Sequence, residues 1–313
     1  MEDVERGQII LITGLAIAVI LVSLVLLMNS VIYSQNLATR EPAGASGGSA
    51  VVYRTTVLDG TGGLLERENA AEHGSYDAVR SNVTDALTGY DQLLTQSYLQ
   101  RSTLVGMHDV TGANATRGTL LRQTTDTTFE NKSNVADWTL VTNATNRRVR
   151  NLVLRINRSE LGSSTASGAF RVVVENTTGA TWNASIYDAS GAITVDGSGP
   201  GSACSVTAPA ATVDLIRGTV NGTACPGLRF ASGVGSTYDV RFRHGDRAGG
   251  TYRLTVRNAS DAAHVVDSGF ATGPTTDVPY AVPAVYSETL GIRYRTDQLS
   301  FATHVRVAPG EPT

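Results

Sequence analysis

Histidine is the side chain best suited to acid–base or metal chemistry near neutral pH, and the five histidines of this chain are far apart in sequence. They are His73, His108, His244, His264 and His304. The chain contains no His-Glu-x-x-His pair, Gly-x-Ser-x-Gly elbow or phosphate-binding loop. A nucleophile, a histidine and an acid assemble in space and not in sequence, so this pattern leaves a catalytic set open. We nevertheless predict no enzymatic activity, no catalytic residue, no cofactor and no metal.

An oxygen-rich stretch at 188–199 has the composition of a calcium-binding loop. It lacks the ligand spacing of an EF-hand and the glutamate that closes one. Asp-Gly turns between strands explain the same composition without a metal, and we favour that interpretation.

Arginines recur at outward positions of the predicted C-terminal strands: Arg241, Arg243, Arg253, Arg257, Arg293, Arg295 and Arg306. A continuous row of this kind would form a basic surface that attracts acidic glycans or lipid headgroups. Cross-strand pairing with Asp and Glu is the simpler explanation, and we favour it. The formal net charge of -3 lacks the basic footprint of nucleic-acid binding, so we predict no nucleic-acid partner.

An apolar run occupies residues 9–32, and no charged residue lies between Arg6 and Arg40. A helix of this length spans about 36 Å, which is enough to cross a hydrocarbon core of about 30 Å. The apolar residues are not confined to one face, as they would be in a soluble amphipathic helix. A cleaved secretory signal would be shorter and would end at a small-x-small site. We therefore predict a flank at 1–8 and a transmembrane helix at 9–32 in contact with the lipid bilayer.

Asn-x-Ser/Thr triplets follow the apolar run and predict N-glycosylation of an exported region. They begin at Asn82, Asn114, Asn131, Asn143, Asn157, Asn176, Asn183, Asn221 and Asn258. Accidental triplets in a Thr-rich chain are the alternative. Because the N-terminal flank gives little positive-inside signal, the triplets decide the predicted orientation. We expect a single-pass protein of the cell membrane with a cytoplasmic N-terminus and an extracellular C-terminal domain.

The chain has two cysteines, Cys204 and Cys225. An even number of cysteines in an exported domain favours a disulfide, with two thiols as the alternative. A loop of about 20 residues closed in this way adds roughly 3 kcal/mol of stability.

The N-terminal segment carries a family resemblance. Residues 5–14 are ERGQIILITG, and the apolar run ends in MNSVIYSQNLATR at 28–40. These stretches resemble the start of an uncharacterised family of haloarchaeal membrane-anchored proteins and the start of archaeal type IV pilin-like precursors. The resemblance implies processing by a prepilin peptidase between Gly7 and Gln8. A single lysine, Lys132, among 25 basic residues fits such a source.

Pro42 and its neighbouring glycines and serines predict a flexible linker over 33–50. Scattered apolar residues favour a helix over 50–71, and apolar residues at three- and four-residue steps predict an amphipathic helix over 76–98. We expect the apolar face of the second helix to pack on the preceding segment or on the following domain, in preference to binding a partner. Together these segments predict a short helical stalk over 51–100.

From about Leu104 onward the apolar period changes to two, which is typical of strands. Alternation is clear at 152–157 and 170–175, further strands are predicted at 138–142, 181–187, 192–195 and 213–217, and a last pair contains Ile292 and Val305. The strands on either side of 244–250 predict a β-hairpin. We therefore predict a mainly β protein with an N-terminal α part, in which residues 101–313 form a jelly-roll-like β-sandwich. A closed barrel is the alternative.

Two functions fit this organisation. The favoured one is a structural or assembly subunit of the pilin-like or pseudopilin-like kind, whose partners are other pilin-like subunits. The alternative is a monomeric surface module that binds a glycan, an ion or a protein. An ectoenzyme is the least favoured.

Overall fold

The computed structural model describes residues 43–108, 110, 114–145, 148–199, 203–258 and 265–311. The predicted flank at 1–8, the predicted transmembrane helix at 9–32 and the first part of the predicted linker lie outside these residues. Within the described ranges, no helix is both long enough and apolar enough to cross a membrane.

The described chain begins with two helices, α1 (Ala43–Ala70) and α2 (Tyr76–Leu99). Ser75 caps α2, because its hydroxyl oxygen accepts a hydrogen bond from the backbone N–H of Ala78 at 3.2 Å. Both predicted helices are therefore confirmed. The prediction of a flexible linker was wrong for residues 43–50, which form the first turns of α1. The glycines at 44, 47 and 48 lie inside this helix, although their composition favours a loop.

Sixteen strands follow in the described residues. They are β1 (Leu104–His108), β2 (Thr116–Thr128), β3 (Trp138–Thr145), β4 (Val149–Asn157), β5 (Phe170–Glu175), β6 (Thr181–Ala189), β7 (Ala192–Gly197), β8 (Cys204–Val206), β9 (Ala210–Asp214), β10 (Thr219–Val220), β11 (Thr223–Ala224), β12 (Thr237–Arg243), β13 (Gly249–Arg257), β14 (Ala271–Thr272), β15 (Tyr280–Arg295) and β16 (Ser300–Val307). The predicted strand at 213–217 ends at Asp214, where the chain turns.

The strands form two sheets that pack face to face, which confirms a mainly β, sandwich-like architecture. The larger sheet has the order β1-β15-β2-β13-β4-β9-β10-β11, with β14 and β16 also paired to β15, and the smaller has the order β3-β12-β5-β6-β7-β8. Buried residues of both sheets share one core, including Leu154 and Leu254 from the larger sheet and Val172 and Val240 from the smaller. Strands β5 to β8 are consecutive neighbours, so this part is a meander and not the jelly-roll-like arrangement that we predicted.

The predicted hairpin around 244–250 was wrong. Strand β12 pairs with β3 and β5 in the smaller sheet, whereas β13 pairs with β2 and β4 in the larger one. The intervening turn carries the chain across the sandwich, with His244 in a left-handed conformation at φ 54°. The rings of Phe242 and Tyr252 then meet in the shared core at a centroid distance of 5.2 Å. The alternation of apolar residues in β12 and β13 would be the same if the strands were hydrogen-bonded in one sheet or packed across the core from two sheets. The sequence pattern therefore does not distinguish these arrangements.

The two helices form a third layer and not a separate stalk. Tyr53 and Val57 of α1 and Val83 and Leu87 of α2 are buried in a second core. The sheet side of this core includes Met107, Leu290, Ile292, Tyr294 and Val305. The apolar face of α2 therefore packs on both the preceding helix and the β domain, as its period predicted.

Polar side chains of α2 cover the outer edge of β1. The Asp91 carboxylate accepts a hydrogen bond from the Met107 N–H at 2.6 Å, and the Thr95 hydroxyl donates to the Val105 carbonyl at 3.3 Å. An uncovered strand edge would offer these backbone groups to another chain. Helix α2 thus protects an edge of the larger sheet.

Asn69 of α1 pairs with the backbone of β15 as a neighbouring strand would. Its amide donates to the Val285 carbonyl at 2.9 Å and accepts from the Val285 N–H at 2.8 Å. The pairing of β15 with β2 shifts register between Val285 and Ser287, so Asn69 binds at an irregularity in the ladder. The side chain is 2% exposed, which makes this a buried connection between the helical layer and the sheet.

Arg150 of β4 is a fully buried cation that joins three parts of the chain. Its guanidinium binds Glu66 of α1 and donates to the carbonyls of Pro309, at 2.9 Å, and Val285, at 3.1 Å. The guanidinium carbon also lies 5.4 Å from the centre of the Tyr286 ring. The helical layer, the larger sheet and the C-terminal segment therefore meet at one charge.

Replacing Glu66 with alanine tests this connection. The Glu66→Ala change leaves the Arg150 cation buried without a carboxylate, and we expect the free energy of unfolding to fall by about 2 kcal/mol or more. The measurement is chemical denaturation of full-length protein in detergent, followed by circular dichroism. The control is Asp77→Ala, which removes a carboxylate from an exposed pair with Arg80. Equal stability of the two variants would contradict a structural role for the Arg150 charge.

Candidate functional site

A cationic surface lies on the side of β1, β15 and β16 that faces away from the helices. Leu104 pairs with Arg295, Gly106 with Arg293, and His108 with Gly291, while the β16 partners of these β15 residues are Ser300, Ala302 and His304. Alternate residues of the same strands, such as Ile292 and Tyr294, face the helices. We call the outer surface formed by Leu104, His108, Arg293, Arg295 and His304 the basic face.

Gly291 brings two histidines of the basic face together. It lies between His108 and His304 in the strand register, and a Cβ at this position would meet His108 Nε2 at only 1.9 Å. The glycine leaves room for the two imidazole rings to approach to a centroid distance of 5.6 Å with a T-shaped geometry. A sequence separation of nearly two hundred residues hides this pair from any local motif.

Arg293 and Arg295 have no carboxylate within ion-pair distance among the described residues, and both are exposed. They flank a shallow depression of about 270 Å³ that is also lined by residues 104–108. Guanidinium groups bind phosphate, sulfate and carboxylate groups through paired N–H donors. The basic face therefore has the chemistry of an anion-binding surface.

The seven arginines predicted as one outward row do not form one surface. Arg241 and Arg243 belong to the smaller sheet, and the other five belong to the larger one. Arg241 is 2.8 Å from Glu175, and Arg243 is 3.6 Å from Asp137. Pairing with acids, the simpler interpretation, is thus confirmed for these two arginines.

The remaining histidines have structural partners where they are described. The Nε2 atom of His73 is 3.3 Å from Glu68, and Nδ1 of His244 is 3.1 Å from the Ala169 carbonyl oxygen. His264 lies outside the described residues. Within the described part of the chain, no three potential metal-binding side chains converge.

The oxygen-rich stretch at 188–199 contains the end of β6, a turn at Ser190 and Gly191, and the whole of β7. The Asp188 carboxylate accepts a hydrogen bond from the Gly191 N–H at 2.6 Å and lies 4.0 Å from Arg158. One carboxylate oxygen of Asp188 is therefore used by the turn itself.

The predicted disulfide is present between Cys204 and Cys225, with the Cα atoms 5.9 Å apart. Cys204 begins β8 of the smaller sheet, and Cys225 directly follows β11 of the larger sheet. The bond therefore ties together the far edges of the two layers.

The Asn-x-Ser/Thr triplets differ in accessibility. The asparagines are exposed at Asn82, Asn114, Asn143 and Asn221, and partly buried at Asn131, Asn157, Asn176, Asn183 and Asn258. Asn176 has a structural role, because its side-chain oxygen accepts from the N–H groups of Thr178 and Ala180, at 3.0 and 2.9 Å, and its amide donates to the Val234 carbonyl. The predicted processing site, Gly7 and Gln8, lies outside the described residues.

Glu288 of β15 is a buried carboxyl that the sequence did not reveal. Its side chain is fully buried, and neither carboxylate oxygen has a hydrogen-bond partner in the described structure. Burial raises its pKa from 4.5 to about 7, and the nearby backbone N–H of Thr289, which does not meet hydrogen-bond geometry, offsets this rise in part. In sequence, a glutamate within a strand is typical of a solvent-facing position.

A family model described as a family of unknown function, DUF7261, matches residues 3–111. A domain of this family thus occupies roughly the first third of the chain and includes the apolar run, both helices and β1. No curated protein and no solved structure matches the chain.

Replacing Glu288 with glutamine tests the buried carboxyl. Below pH 4.5 the group is protonated in both states, and between 4.5 and about 7 the unfolded chain loses a proton that the folded chain retains. The free energy of unfolding therefore falls as the pH rises from 4.5 to about 7, because the folded state must then keep the proton or bury a charged carboxylate. Glutamine stays neutral at every pH. We therefore expect Glu288→Gln to raise the free energy of unfolding at pH 8 by about 1–3 kcal/mol, which raises the melting temperature by several degrees. At pH 4 we expect little change in either quantity.

The matched control is Asp85→Asn, which neutralises an exposed carboxylate on α2. Melting curves of full-length protein in detergent across this pH range provide the measurement. A Glu288→Gln effect that is the same at pH 4 and pH 8 would rule out titration of the buried carboxyl.

Proposed function

We propose that this protein is a single-pass, membrane-anchored subunit of a cell-surface assembly, of the pilin-like or pseudopilin-like kind. Residues 9–32 cross the bilayer, the N-terminus is cytoplasmic, and the β domain is extracellular. Copies of the apolar helix pack together in the assembly while the β domain faces outward.

The observation that carries this proposal is the buried connection between the β domain and α1, the first described helix after the predicted anchor. The described part of α1 starts at Ala43, ten residues after the apolar run, which ends at Ile32. It is then held to the sheet by the buried pairs of Asn69 and Arg150. A subunit that assembles through its apolar segment needs such a connection, because the position of the segment must set the position of the domain.

Other features support an exported domain. The disulfide between Cys204 and Cys225 is typical of oxidising compartments. Four exposed triplet asparagines are accessible to a glycosylating enzyme. The family domain at 3–111 joins the apolar run and the helical layer in one unit.

A second candidate function is a monomeric surface module that binds an acidic glycan or another anion. The basic face favours it, because Arg293 and Arg295 are exposed without carboxylate partners among the described residues. An ectoenzyme is the least favoured, since the sequence contains no nucleophile motif and both His73 and His244 lie beside structural partners.

The first test of the assembly proposal is the mature N-terminus of protein purified from its native membrane, determined by peptide mass mapping. We expect the chain to begin at Gln8 and to be recovered in high-mass filaments. A Gly7→Val variant should keep its original N-terminus and stay out of filaments, because the cut depends on the small residue before Gln8. The control is Gly14→Val, which lies inside the apolar run and should be processed normally. A wild-type chain that begins at Met1 or Glu2 and is recovered as detergent-soluble monomers would overturn the assembly proposal in favour of the binding module.

A further inference from the structure

Three tyrosine rings meet at one end of the helix-packed sheet. The Tyr53 ring of α1 contacts the Tyr98 ring of α2 at a centroid distance of 5.3 Å and the Tyr294 ring of β15 at 5.8 Å. The start of α1, the end of α2 and the end of β15 are therefore neighbours. We call the surface around these rings, formed by residues 51–54, 99–104 and 293–297, the tyrosine end.

Exposed aliphatic side chains concentrate at the tyrosine end. Val51 and Val52 are 64% and 60% exposed, Leu99 is 50% exposed and Leu104 is 54% exposed. They are four of the six large apolar side chains that are exposed in the described residues. Val51, Val52 and Leu99 lie within two residues of Tyr53 or Tyr98 in sequence. Leu104 pairs with Arg295 in the sheet.

Exposed arginines belong to the same segments of the chain. Arg54, Arg101, Arg293 and Arg295 are all exposed, and none has a carboxylate within ion-pair distance in the described structure. The Arg101 guanidinium lies 6.0 Å from the centre of the Tyr98 ring. Asp297, in the turn between β15 and β16, is the exposed acid of this surface. The tyrosine end is thus both apolar and cationic, a combination typical of surfaces that lie in a membrane interface.

The chain enters the domain at this end. The first turns of α1, from Ala43 to Tyr53, extend about 15 Å beyond the tyrosine cluster. Ten residues, 33–42, separate this end of the domain from the predicted anchor in sequence. We infer that the tyrosine end docks on anionic lipid headgroups beside the protein's own anchor, an inference that rests on the proposed membrane anchor.

The test uses full-length protein in lipid nanodiscs and a fluorophore on a single added cysteine. Gln100→Cys places the label at the tyrosine end, and Ala71→Cys places a control label about 27 Å further along α1. Headgroup-nitroxide lipids report contact by quenching. We expect strong quenching of the label at position 100, but not at position 71, in nanodiscs that contain anionic lipid at low salt. Quenching should be weak in neutral nanodiscs and at high salt.

The charge variant replaces Arg54, Arg101, Arg293 and Arg295 with glutamine. We expect the ratio of docked to undocked protein to fall at least about tenfold. The matched control replaces Arg253 and Arg257, which are exposed on β13, and should leave quenching unchanged. Equal quenching in neutral and anionic nanodiscs, or in both arginine variants, would overturn the docking inference. A chain that fails to insert into nanodiscs at all would instead overturn the membrane anchor, so the two failures are distinguishable.

Discussion

The buried charge of Arg150 is the constraint on which the arrangement of layers depends. A guanidinium without water is costly unless carboxylate and carbonyl oxygens surround it, and here they come from α1, β15 and the segment after β16. Removal of any one of these elements would leave the cation unsatisfied. The helices are therefore required by the β domain and are not an appendage to it, although the family domain at 3–111 ends just after β1.

Other polar contacts follow the same principle. Asn69 satisfies backbone groups at the irregularity in β15, Asp91 satisfies a backbone donor on the edge of β1, and Glu72 accepts a hydrogen bond from Tyr280 at 2.6 Å. Apolar burial supplies much of the stability but tolerates sliding, whereas these directional bonds hold the helices at one position on the sheet. A subunit whose anchor must position its domain needs this kind of specificity.

Periodicity in the sequence predicted the elements better than their partners. The three- and four-residue steps of α2 and the alternation in β4 and β5 report which face of an element is buried, and the structure agrees. Pairing is not encoded in that pattern, because β12 and β13 bury the same faces whether they form a hairpin or oppose each other across the core. The linker prediction failed for a related reason, since glycine is compatible with the first turns of a helix as well as with a loop.

The basic face was only partly predictable, and the reason is geometric. Outward arginines can be recognised from strand alternation, but their ion-pair partners depend on which strands become neighbours. Arg241 and Arg293 therefore look alike in sequence, whereas in the described structure Arg241 pairs with Glu175 and Arg293 has no carboxylate partner. The contact between His108 and His304 requires two strands on either side of β15 and a glycine between them. The buried Arg150 and Glu288 were missed because a charge in a strand is normally on the outside.

The position of the exposed arginines also bears on the choice between the two proposed functions. The basic face and the tyrosine end share Arg293, Arg295 and Leu104, so this cationic surface lies at the end of the domain from which α1 extends. If residues 9–32 are the anchor that we propose, an anion bound there would be held near it and not at the outer tip, where a monomeric receptor would meet a distant ligand. This placement is better suited to contact with the membrane or with a neighbouring subunit at the base of an assembly. The location of the charge therefore favours the assembly subunit over the free-standing binding module.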